Sequence, residues 1–539
     1  MNLSNKVEKP VGYRPKVYTR DTLDCPIIAD VDILIIGGSQ SGVAAALSAK
    51  RALKSLNYNV HNSKVMLVEQ NNYLGGQSVT NMVTQWEIHA FRLNAGKWQI
   101  KGVGMDMVEK IVSLGGSDKL WEDLISLNRK SDVEWPFLGG DHKICGEEAL
   151  NLEAIKLGLL QMCDEQKIDL MLDTRAVAPI VKEINNPSLP QDSLSDLSES
   201  EEKKPITHQI DGIIVEYFSG RGAILAKQII DASANGLVPW WVLGYEGCTV
   251  NPAKNRGLVQ SYIWIGGVNM NKFLDWALNL PDDVFEYYPA DKVQLRKHGK
   301  TGRLIWFKSQ ALGQPESVFD EAEEEEDLDI VLKSEVPIAG FYFKWVGTYP
   351  GHGMFAFDGP YYREDSLHAN RWTSMHKRNL YGSWGMFRIA RHMPGWENAY
   401  IARTCERMGL RTTRVPKGIY VIRGTDLKDH KEQPDAIGVG DWHDRSSEDD
   451  TGKWGYHIPL RALIPNTIDG LTFCARAVSF DPGAMNAHRG IGTTIVCGQG
   501  AGVASAVALV ENNQPRYVDI KKVQAILRDQ DVVLKIPSK

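Results

Sequence analysis

An apolar run that ends in a glycine cluster is the feature that most constrains the fold of this chain. Residues Val31–Ile36 are mainly β-branched and apolar, Gly37-Gly-Ser-Gln-Ser-Gly42 follows, and a small-residue segment continues to Ala49. This order predicts a strand, a tight turn and a helix start, which together direct backbone N–H groups at a pyrophosphate. Gly37 permits the turn and Gly42 permits close packing of helix on strand, whereas Ser39 replaces the usual second glycine.

A carboxylate follows the second predicted strand. The sequence Val65-Met-Leu-Val-Glu69 is a short apolar strand that ends in an acid, as a dinucleotide site needs for its adenosine ribose. The acid lies further from the glycines than the usual separation of about 20 residues, and a lengthened loop at 57–64 accounts for the excess. An acid here favours a free 2′-hydroxyl, so we expect FAD or NAD; the alternative is an ordinary buried βαβ unit with a surface glutamate.

Three later segments extend the pattern. They are the Leu74-Gly75-Gly76 turn, the strand and turn at Ala226–Gly236, and a closing strand, loop and small-residue helix at Leu471–Gly502. With the first βαβ unit, and in this order, they resemble the bacterial FAD-dependent oxidoreductases of the glutathione-reductase-like superfamily. The resemblance runs from about residue 31 to about residue 530.

This resemblance implies an α/β fold, with a Rossmann-like, glutathione-reductase-like FAD-binding domain and an inserted α+β substrate domain. It implies FAD as the cofactor and redox chemistry, without naming a substrate. Relatives write the turn after the long strand as Ala-Thr-Gly, where this chain has Ala232-Ser233-Ala234. The cofactor-binding residues that it implies are Gly37, Gly38, Ser39, Gln40, Ser41, Gly42, Glu69, Gln70, Gly75, Gly76, Gln77, Ser78, Arg175, Ala176, Val177, Ala232, Ser233, Ala234, Arg476, Gly490, Ile491, Gly492 and Thr493.

Composition and motifs divide the chain into four parts. We expect an N-terminal arm at 1–30, the first part of the FAD-binding domain at 31–247, an aromatic-rich substrate domain at 248–453, and a closing strand with C-terminal helices at 454–539. Residues 184–205 contain Asn-Asn-Pro and Ser-Glu-Ser-Glu-Glu-Lys-Lys, which predicts an exposed insertion. A strand is predicted at 168–176 and a β-hairpin at 212–230.

The composition is that of an ordinary globular protein, with 43% hydrophobic residues and a net charge of −6, which argues against nucleic-acid binding. No apolar run reaches about 18 residues, so no membrane span is expected, and the first 30 residues lack a secretory signal. The seven cysteines form no C-x-x-C pair, which favours free thiols and a cytoplasmic location. The proline-containing arm is expected to pack on a neighbouring subunit in a homo-oligomer. No metal site is predicted, and the acidic run at 316–329 is interpreted as an exposed loop.

Two kinds of residue are candidates for catalysis. The segment Arg489–Thr494 leads into a small-residue helix, whose N-terminus would stabilise negative charge on the cofactor; a tightly packed helix crossing is the alternative. A base needs a pKa near the operating pH, and His352, His443, His457 and His488 lie in aromatic or glycine-rich settings. For His488 and Arg489, a cation beside the flavin or substrate and a structural salt bridge both remain open.

The sequence therefore predicts an enzyme, an FAD-dependent dehydrogenase or oxidase that removes a hydride from a small organic substrate. A flavin monooxygenase or halogenase is the competing class; halogenases carry Trp-x-Trp-x-Ile-Pro, whereas this chain has Trp454-Gly-Tyr-His-Ile-Pro459. A non-catalytic flavin-bound protein is the third alternative. The chain carries no second glycine fingerprint for a nicotinamide domain, which favours the dehydrogenase.

Overall fold

The structure of the chain is a computed structural model. The described residues are 25–59, 62–83, 86, 90–91, 97–98, 101–116, 150–191, 193–197, 201–250, 259, 261–279, 285–288, 302–307, 340–345, 355–358, 367–440 and 455–536. Within them the strands are β1 (Ile27–Ile36), β2 (Val65–Val68), β3 (Ala90–Phe91), β4 (Lys97–Trp98), β5 (Asp169–Met171), β6 (Arg175–Glu183), β7 (His208–Tyr217), β8 (Gly220–Asp231), β9 (Cys248–Val250), β10 (Tyr262–Gly266), β11 (Phe285–Tyr288), β12 (Gly302–Phe307), β13 (Gly340–Trp345), β14 (Phe355–Asp358), β15 (Tyr400–Thr404), β16 (Arg414–Pro416), β17 (Ala436–Gly440), β18 (Tyr456–Pro459), β19 (Ile468–Asp469) and β20 (Leu471–Phe473).

The α-helices of the same residues are α1 (Gln40–Ser55), α2 (Gln77–Thr80), α3 (Val103–Ser113), α4 (Leu152–Glu165), α5 (Leu237–Leu243), α6 (Met270–Asn279), α7 (Ala369–Ala390), α8 (Gly424–Lys428), α9 (Met485–His488), α10 (Ile491–Val510) and α11 (Ile520–Asp529). Short 3₁₀ turns lie at Leu194–Leu197, Leu460–Leu463 and Pro515–Tyr517. Helices and strands therefore mix along the chain, as the predicted α/β class requires.

A sheet built on parallel strands forms the centre of the fold. Strand β1 lies between β2 and β8, with β5 beyond β2, and all of these neighbours run parallel. The first half of β8 pairs antiparallel with β7, and its second half pairs parallel with β20. The predicted α/β fold with a parallel core is thus confirmed. The predicted hairpin is present as β7 and β8, both longer than expected.

The sheet is buried on both faces, which explains the almost continuous apolar run of β1. Ile33 and Ile35 pack into the cluster formed with helices α1 and α10, whereas Leu34 and Ile36 pack into the opposite cluster with β7 and α5. Successive strand residues point to opposite faces, so a strand covered on both sides has no polar alternation.

A second, antiparallel sheet lies in the part predicted as the substrate domain. Its strand order is β11-β12-β13-β14-β10-β15. The boundaries predicted for that domain remain predictions. Most of the predicted arm, the acidic run at 316–329, and the candidates His352 and His443 lie outside the described residues.

Helix α10 is long and apolar enough to cross a membrane, with a mean hydropathy of 1.6, but 89% of that stretch is buried in the protein. It packs across α1 through small residues: a Cβ on Gly498 would lie 2.1 Å from the Ser41 carbonyl oxygen, and one on Gly502 would lie 2.3 Å from that of Ala45. The sequence shows no uninterrupted apolar run here because Gly, Thr, Ser and Gln alternate with the apolar residues of this helix. The glycines at the crossing are what allow the two helix backbones to touch.

Three expectations from the sequence need correction, and the first two concern the bounds of strands. Strand β1 begins at Ile27, and Ala223 N–H donates to the Pro26 carbonyl, so residues 27–30 belong to the sheet and not to the arm. The single strand predicted at 168–176 is two strands, β5 and β6, separated by a turn in which Asp173 adopts a positive φ of 48°.

The insertion at 184–205 is only partly exposed, which corrects the third expectation. Leu194 is 5% exposed, the Leu197 carbonyl accepts a hydrogen bond from the buried Arg461 guanidinium, and Glu201 pairs with Arg423. The polar composition concealed a short 3₁₀ turn that packs on the body of the protein. Deleting the whole segment would therefore expose apolar surface and leave the Arg461 guanidinium without one of its acceptors.

We predict that Leu194→Ala lowers the free energy of unfolding by about 2–3 kcal/mol, because it leaves a cavity under the 3₁₀ turn. Leu189 of the same segment is 54% exposed, and Leu189→Ala is the matched control, with an expected change below about 0.5 kcal/mol. Urea unfolding followed by tryptophan fluorescence measures both. Equal, small effects would show that the turn does not contribute to the core.

Candidate functional site

The carboxyl ends of β1, β2, β8 and β20 meet at one edge of the parallel sheet, and the predicted site residues follow these ends. The strand ladder continues into the turns: Gly37 N–H donates to the Val68 carbonyl (2.8 Å), Ala232 N–H to Ile36 (2.9 Å) and Cys474 N–H to Asp231 (3.0 Å). Ligands of open α/β sheets bind at such an edge. Four segments far apart in sequence thus form one candidate site.

The turn after β1 requires its glycines. Gly37 has a φ of +107°, and a Cβ on Gly42 would lie 1.9 Å from the Gly37 carbonyl oxygen. Ser39, the departure from the family pattern, precedes α1 as its N-cap, and its hydroxyl is buried without a hydrogen-bond partner among the described residues. A Cβ on Gly76 would lie 2.7 Å from the Ser39 Cβ, so the second glycine turn makes room for the serine.

The start of α1 fits a phosphate group. The first turn carries no acidic side chain, and its N–H groups carry the positive end of the helix dipole. With the unpartnered Ser39 hydroxyl and a backbone free of side chains at Gly37 and Gly38, these groups suit the pyrophosphate of FAD. When bound, FAD supplies the hydride and electron chemistry that no amino-acid side chain offers.

Glu69 is buried beside this turn. Its carboxylate accepts from Gly38 N–H (2.6 Å) and from both the backbone and side-chain amides of Asn71 (2.9 and 2.6 Å). Burial raises the pKa of Glu69, and these hydrogen bonds oppose the shift. A carboxylate has about four lone-pair positions, so it still has capacity to accept a ribose hydroxyl.

The second glycine turn packs on the first. Gly75 N–H donates to the Gly38 carbonyl (2.8 Å), and the Ser78 hydroxyl accepts from the Gln40 amide and from Trp86 Nε1–H. Gln77 donates to the Leu410 carbonyl (3.0 Å). The side chains of Gln40, Gln77 and Ser78 are therefore engaged with protein groups, and they shape the predicted site rather than project freely into it.

The adenosine side of the predicted site is built from β6. Thr174 N–H donates to the Glu69 carbonyl (3.0 Å), which brings the start of β6, with Arg175, Ala176 and Val177, close to Glu69 in the chain's fold. Ala176 is buried and Arg175 is exposed. Gln70, also predicted to bind the cofactor, is exposed.

Asp231 organises the turn after β8, and sequence reasoning missed it. Its carboxylate accepts from Ser233 N–H (2.9 Å) and Val238 N–H (3.0 Å), and its burial raises its pKa. Ala234, which stands where relatives have glycine, adopts a φ of +62°. A strand-end acid directly before Ala-Ser-Ala was the signal that could have identified this turn as one held by a carboxylate.

Ser41 joins the first turn to the C-terminal part of the site. Its hydroxyl accepts from Ala475 N–H (2.9 Å) and donates to the Thr494 carbonyl (2.6 Å). The next residue, Arg476, has a buried Nε without a partner among the described residues, and burial lowers its pKa to about 10. A buried cation without a protein carboxylate is suited to an anionic group such as a phosphate.

The N-terminus of α10 lies beside these residues. Gly490 caps the helix, and its first turn, which includes Ile491, Gly492 and Thr493, carries no acidic side chain. The small-residue helix expected at this position is present and begins at Ile491. The predicted contact of its N-terminus with the cofactor remains a prediction.

His488 does not fit the cationic role considered for it. Its ring is completely buried between the Tyr456 hydroxyl (3.1 Å from Nδ1) and the Cys497 thiol (3.6 Å from Nε2). Burial lowers its pKa to about 3, so the ring is neutral at physiological pH. Its neighbour Arg489 directly precedes the capping Gly490, so of the two it is Arg489 that can supply a positive charge there.

His457 lies on β18, where its Nδ1 accepts from Gln433 N–H (2.9 Å). This hydrogen bond places the proton of the neutral ring on Nε2. Among the described residues, no group of three or more His, Cys, Asp or Glu side chains could hold a metal ion. The described cysteines form no disulfide, and burial raises the pKa of the Cys163, Cys248 and Cys474 thiols to about 12.

Comparison with protein families agrees with this geometry. The model of the FAD dependent oxidoreductase family matches residues 32–527, which is most of the chain. The chain therefore belongs to the FAD-dependent oxidoreductases, and FAD is its cofactor. No curated protein matches the sequence.

Solved structures with similar folds are distant from this chain. A geranylgeranyl bacteriochlorophyll reductase-like protein from Thermoplasma acidophilum is 11% identical, over 93% of this chain and 82% of that one, with a TM-score of 0.37. The open conformation of a flavocytochrome c3 fumarate reductase is 13% identical over 89% and 78%, with a TM-score of 0.30. A myxobacterial chondrochloren halogenase is 10% identical over 90% and 75%, with a TM-score of 0.36. At such distances these structures do not define the reaction of this chain.

We predict that Ala234→Gly raises the free energy of unfolding by about 0.5–1 kcal/mol, because glycine relieves the strain of a positive φ at a modest entropic cost. Ala226→Gly, in the buried part of β8, is the matched control and should lower it by about 0.5–1 kcal/mol. Thermal unfolding of FAD-loaded protein measures both. A loss of stability in Ala234→Gly would contradict the strained turn.

We predict that Glu69→Gln weakens FAD binding about 10- to 100-fold, since a ribose hydroxyl loses a charged acceptor worth about 1.5–3 kcal/mol. The substitution keeps one carbonyl acceptor for the neighbouring amides. Glu183→Gln, at an exposed position of β6, removes the same charge and should leave binding unchanged. Titration of FAD-free protein with FAD, followed by flavin fluorescence, decides between the two expectations; equal affinities would place the ribose elsewhere.

Proposed function

We propose that this FAD-dependent oxidoreductase removes a hydride from a small organic substrate, as a dehydrogenase or oxidase. The observation that supports the proposal best is the N-terminus of α10. It is joined through Ser41 to the turn that would hold the pyrophosphate, and it has no acid in its first turn. A fixed helix dipole at the cofactor favours the negative charge that arrives with a hydride.

The role of each side chain follows from its surroundings. The Gly37–Gly42 turn and Arg476 would hold the phosphates, and Glu69 would hold the ribose. Proton abstraction needs a base that can change its charge near neutral pH. The neutral, enclosed His488 is unsuited to this task, so we propose the base among His352, His443 and His457.

Anaerobic mixing of the FAD-loaded protein with fractions of a metabolite pool tests the reaction. Loss of flavin absorbance in a fraction, with stoichiometric oxidation of one compound, is the expected result. Rapid bleaching by NAD(P)H alone, with no substrate oxidised, would instead identify a monooxygenase or halogenase. A flavin that no fraction and no nicotinamide reduces would favour a non-catalytic role.

We predict that Gly492→Val lowers the reduction potential of the bound FAD by about 30 mV for each 1.4 kcal/mol of lost stabilisation of the two-electron reduced state. The added side chain would push the helix backbone away from the cofactor. Leu194→Ala serves as a control, because it should lower stability without changing the potential. The measurement is a spectroscopic redox titration of FAD-loaded protein, and an unchanged potential in a folded Gly492→Val protein would contradict the role of the helix.

A further inference from the structure

The segment Leu410–Pro416, called the seam segment, contacts two of the turns predicted to bind FAD. These two turns, called the cofactor turns, are the second glycine turn and the turn after β8. Gln77, beside the second glycine turn, donates to the Leu410 carbonyl (3.0 Å). At the other end, the Thr413 hydroxyl donates to the Asn235 side chain (3.3 Å), next to the turn after β8. Strand β16 then fixes the seam segment by pairing with β9. The seam segment follows β15, the last strand of the second sheet along the chain, and it therefore connects that sheet to the turns predicted to bind FAD.

Arg414 of the seam segment forms no ion pair with a carboxylate of the part of the chain that the structure describes. Its guanidinium lies over the Trp240 ring, 4.5 Å from the ring centre. Its Nε is buried and has no hydrogen-bond partner among the described residues. The carboxylate of Asp231, which influences it electrostatically, is occupied by backbone N–H groups. Burial lowers the pKa of Arg414, so its charge costs free energy in the absence of an anion.

Thr412 of the same segment carries a second polar group without a partner. It is 5% exposed, and its hydroxyl forms no hydrogen bond among the described residues. Buried polar groups are nearly always paired in folded proteins, so the Thr412 hydroxyl and the Arg414 Nε, both without a partner among the described residues, need an explanation. A hydroxyl donor and a planar guanidinium on one short segment are groups that suit a carboxylate or a phosphate.

We propose that Arg414 and Thr412 bind the anionic group of the substrate, a carboxylate or a phosphate, beside the two cofactor turns. The Trp240 ring holds the guanidinium plane in place, so its N–H fork is presented with little loss of entropy on binding. This proposal deepens the proposed function, on which it rests, by naming the substrate class. It also gives a reason for a basic segment in a chain of net charge −6.

The first test is anion binding by the FAD-loaded protein, which needs no turnover. Sulfate and acetate are titrated at constant ionic strength with chloride, and the flavin absorbance and thermal midpoint are recorded. We expect saturable binding that is at least tenfold weaker in Arg414→Gln and weaker in Arg414→Lys, which keeps the charge but loses the fork. Arg221→Gln, which removes an exposed arginine paired with Glu216, should bind the anions as the natural protein does.

Thr412→Val separates a binding role from a structural one and covers the case in which Arg414→Gln fails to fold. It removes an unpaired buried hydroxyl, so its thermal midpoint should stay or rise, while anion binding weakens. Unchanged binding in folded Thr412→Val and Arg414→Lys would overturn the proposal. Binding seen only in FAD-free protein would overturn it too, because it would identify the ion as a substitute for the FAD pyrophosphate.

The second test concerns the substrate itself. The metabolite pool is separated on an anion exchanger before the anaerobic bleaching assay, and the bleaching compound should be retained. Bleaching by an unretained, neutral compound would overturn this proposal and leave the proposed function intact. Anion binding that depends on Arg414, with bleaching by no fraction, would support the site and contradict hydride removal.

Discussion

The close crossing of α1 and α10 is the contact on which the rest of the site depends. Gly498 and Gly502 allow the backbone of α10 to touch the carbonyl groups of Ser41 and Ala45. Both helices begin at the same edge of the sheet, so their N-termini lie side by side. The Ser41 hydroxyl is hydrogen-bonded to the Thr494 carbonyl and to the Ala475 N–H. Larger residues would separate the helices and pull the proposed phosphate and flavin ends of the site apart.

The parallel strands determine what these two helix N-termini meet. Each strand ends at the same edge, and its first residue beyond the sheet continues the hydrogen-bond ladder before the chain turns away. Residues 37, 69, 232 and 474 are therefore neighbours, although more than 400 positions separate the first from the last. The site is a consequence of strand order, and the side chains that complete it come from turns that the ladder holds rigid.

Much of this could be predicted from local sequence, because the turn after β1 carries a steric signature. Gly37 has a positive φ, and a Cβ on Gly42 would overlap the Gly37 carbonyl oxygen. Both positions therefore require glycine, which can be recognised in the sequence. The buried 3₁₀ turn at Leu194 could not be predicted, because its burial depends on Arg461, which is remote in sequence. The neutral state of His488 depends in the same way on Tyr456 and Cys497, which enclose it only after folding.

The distribution of unpaired charge separates structural from binding roles. The buried acids Glu69 and Asp231 both accept hydrogen bonds from backbone N–H groups, which oppose the rise in their pKa caused by burial, and no described cation forms an ion pair with either. The partly buried cations Arg476 and Arg414 have no such compensation from described residues. Desolvation of an unpaired cation opposes folding. Such a residue is retained where its role in binding outweighs that cost in stability. The two acids accept hydrogen bonds from the protein, whereas the described residues provide no anion for the two arginines. An anion is therefore the group that this site lacks. We propose that the pyrophosphate of FAD would supply that anion at Arg476 and that an anionic substrate would supply it at Arg414.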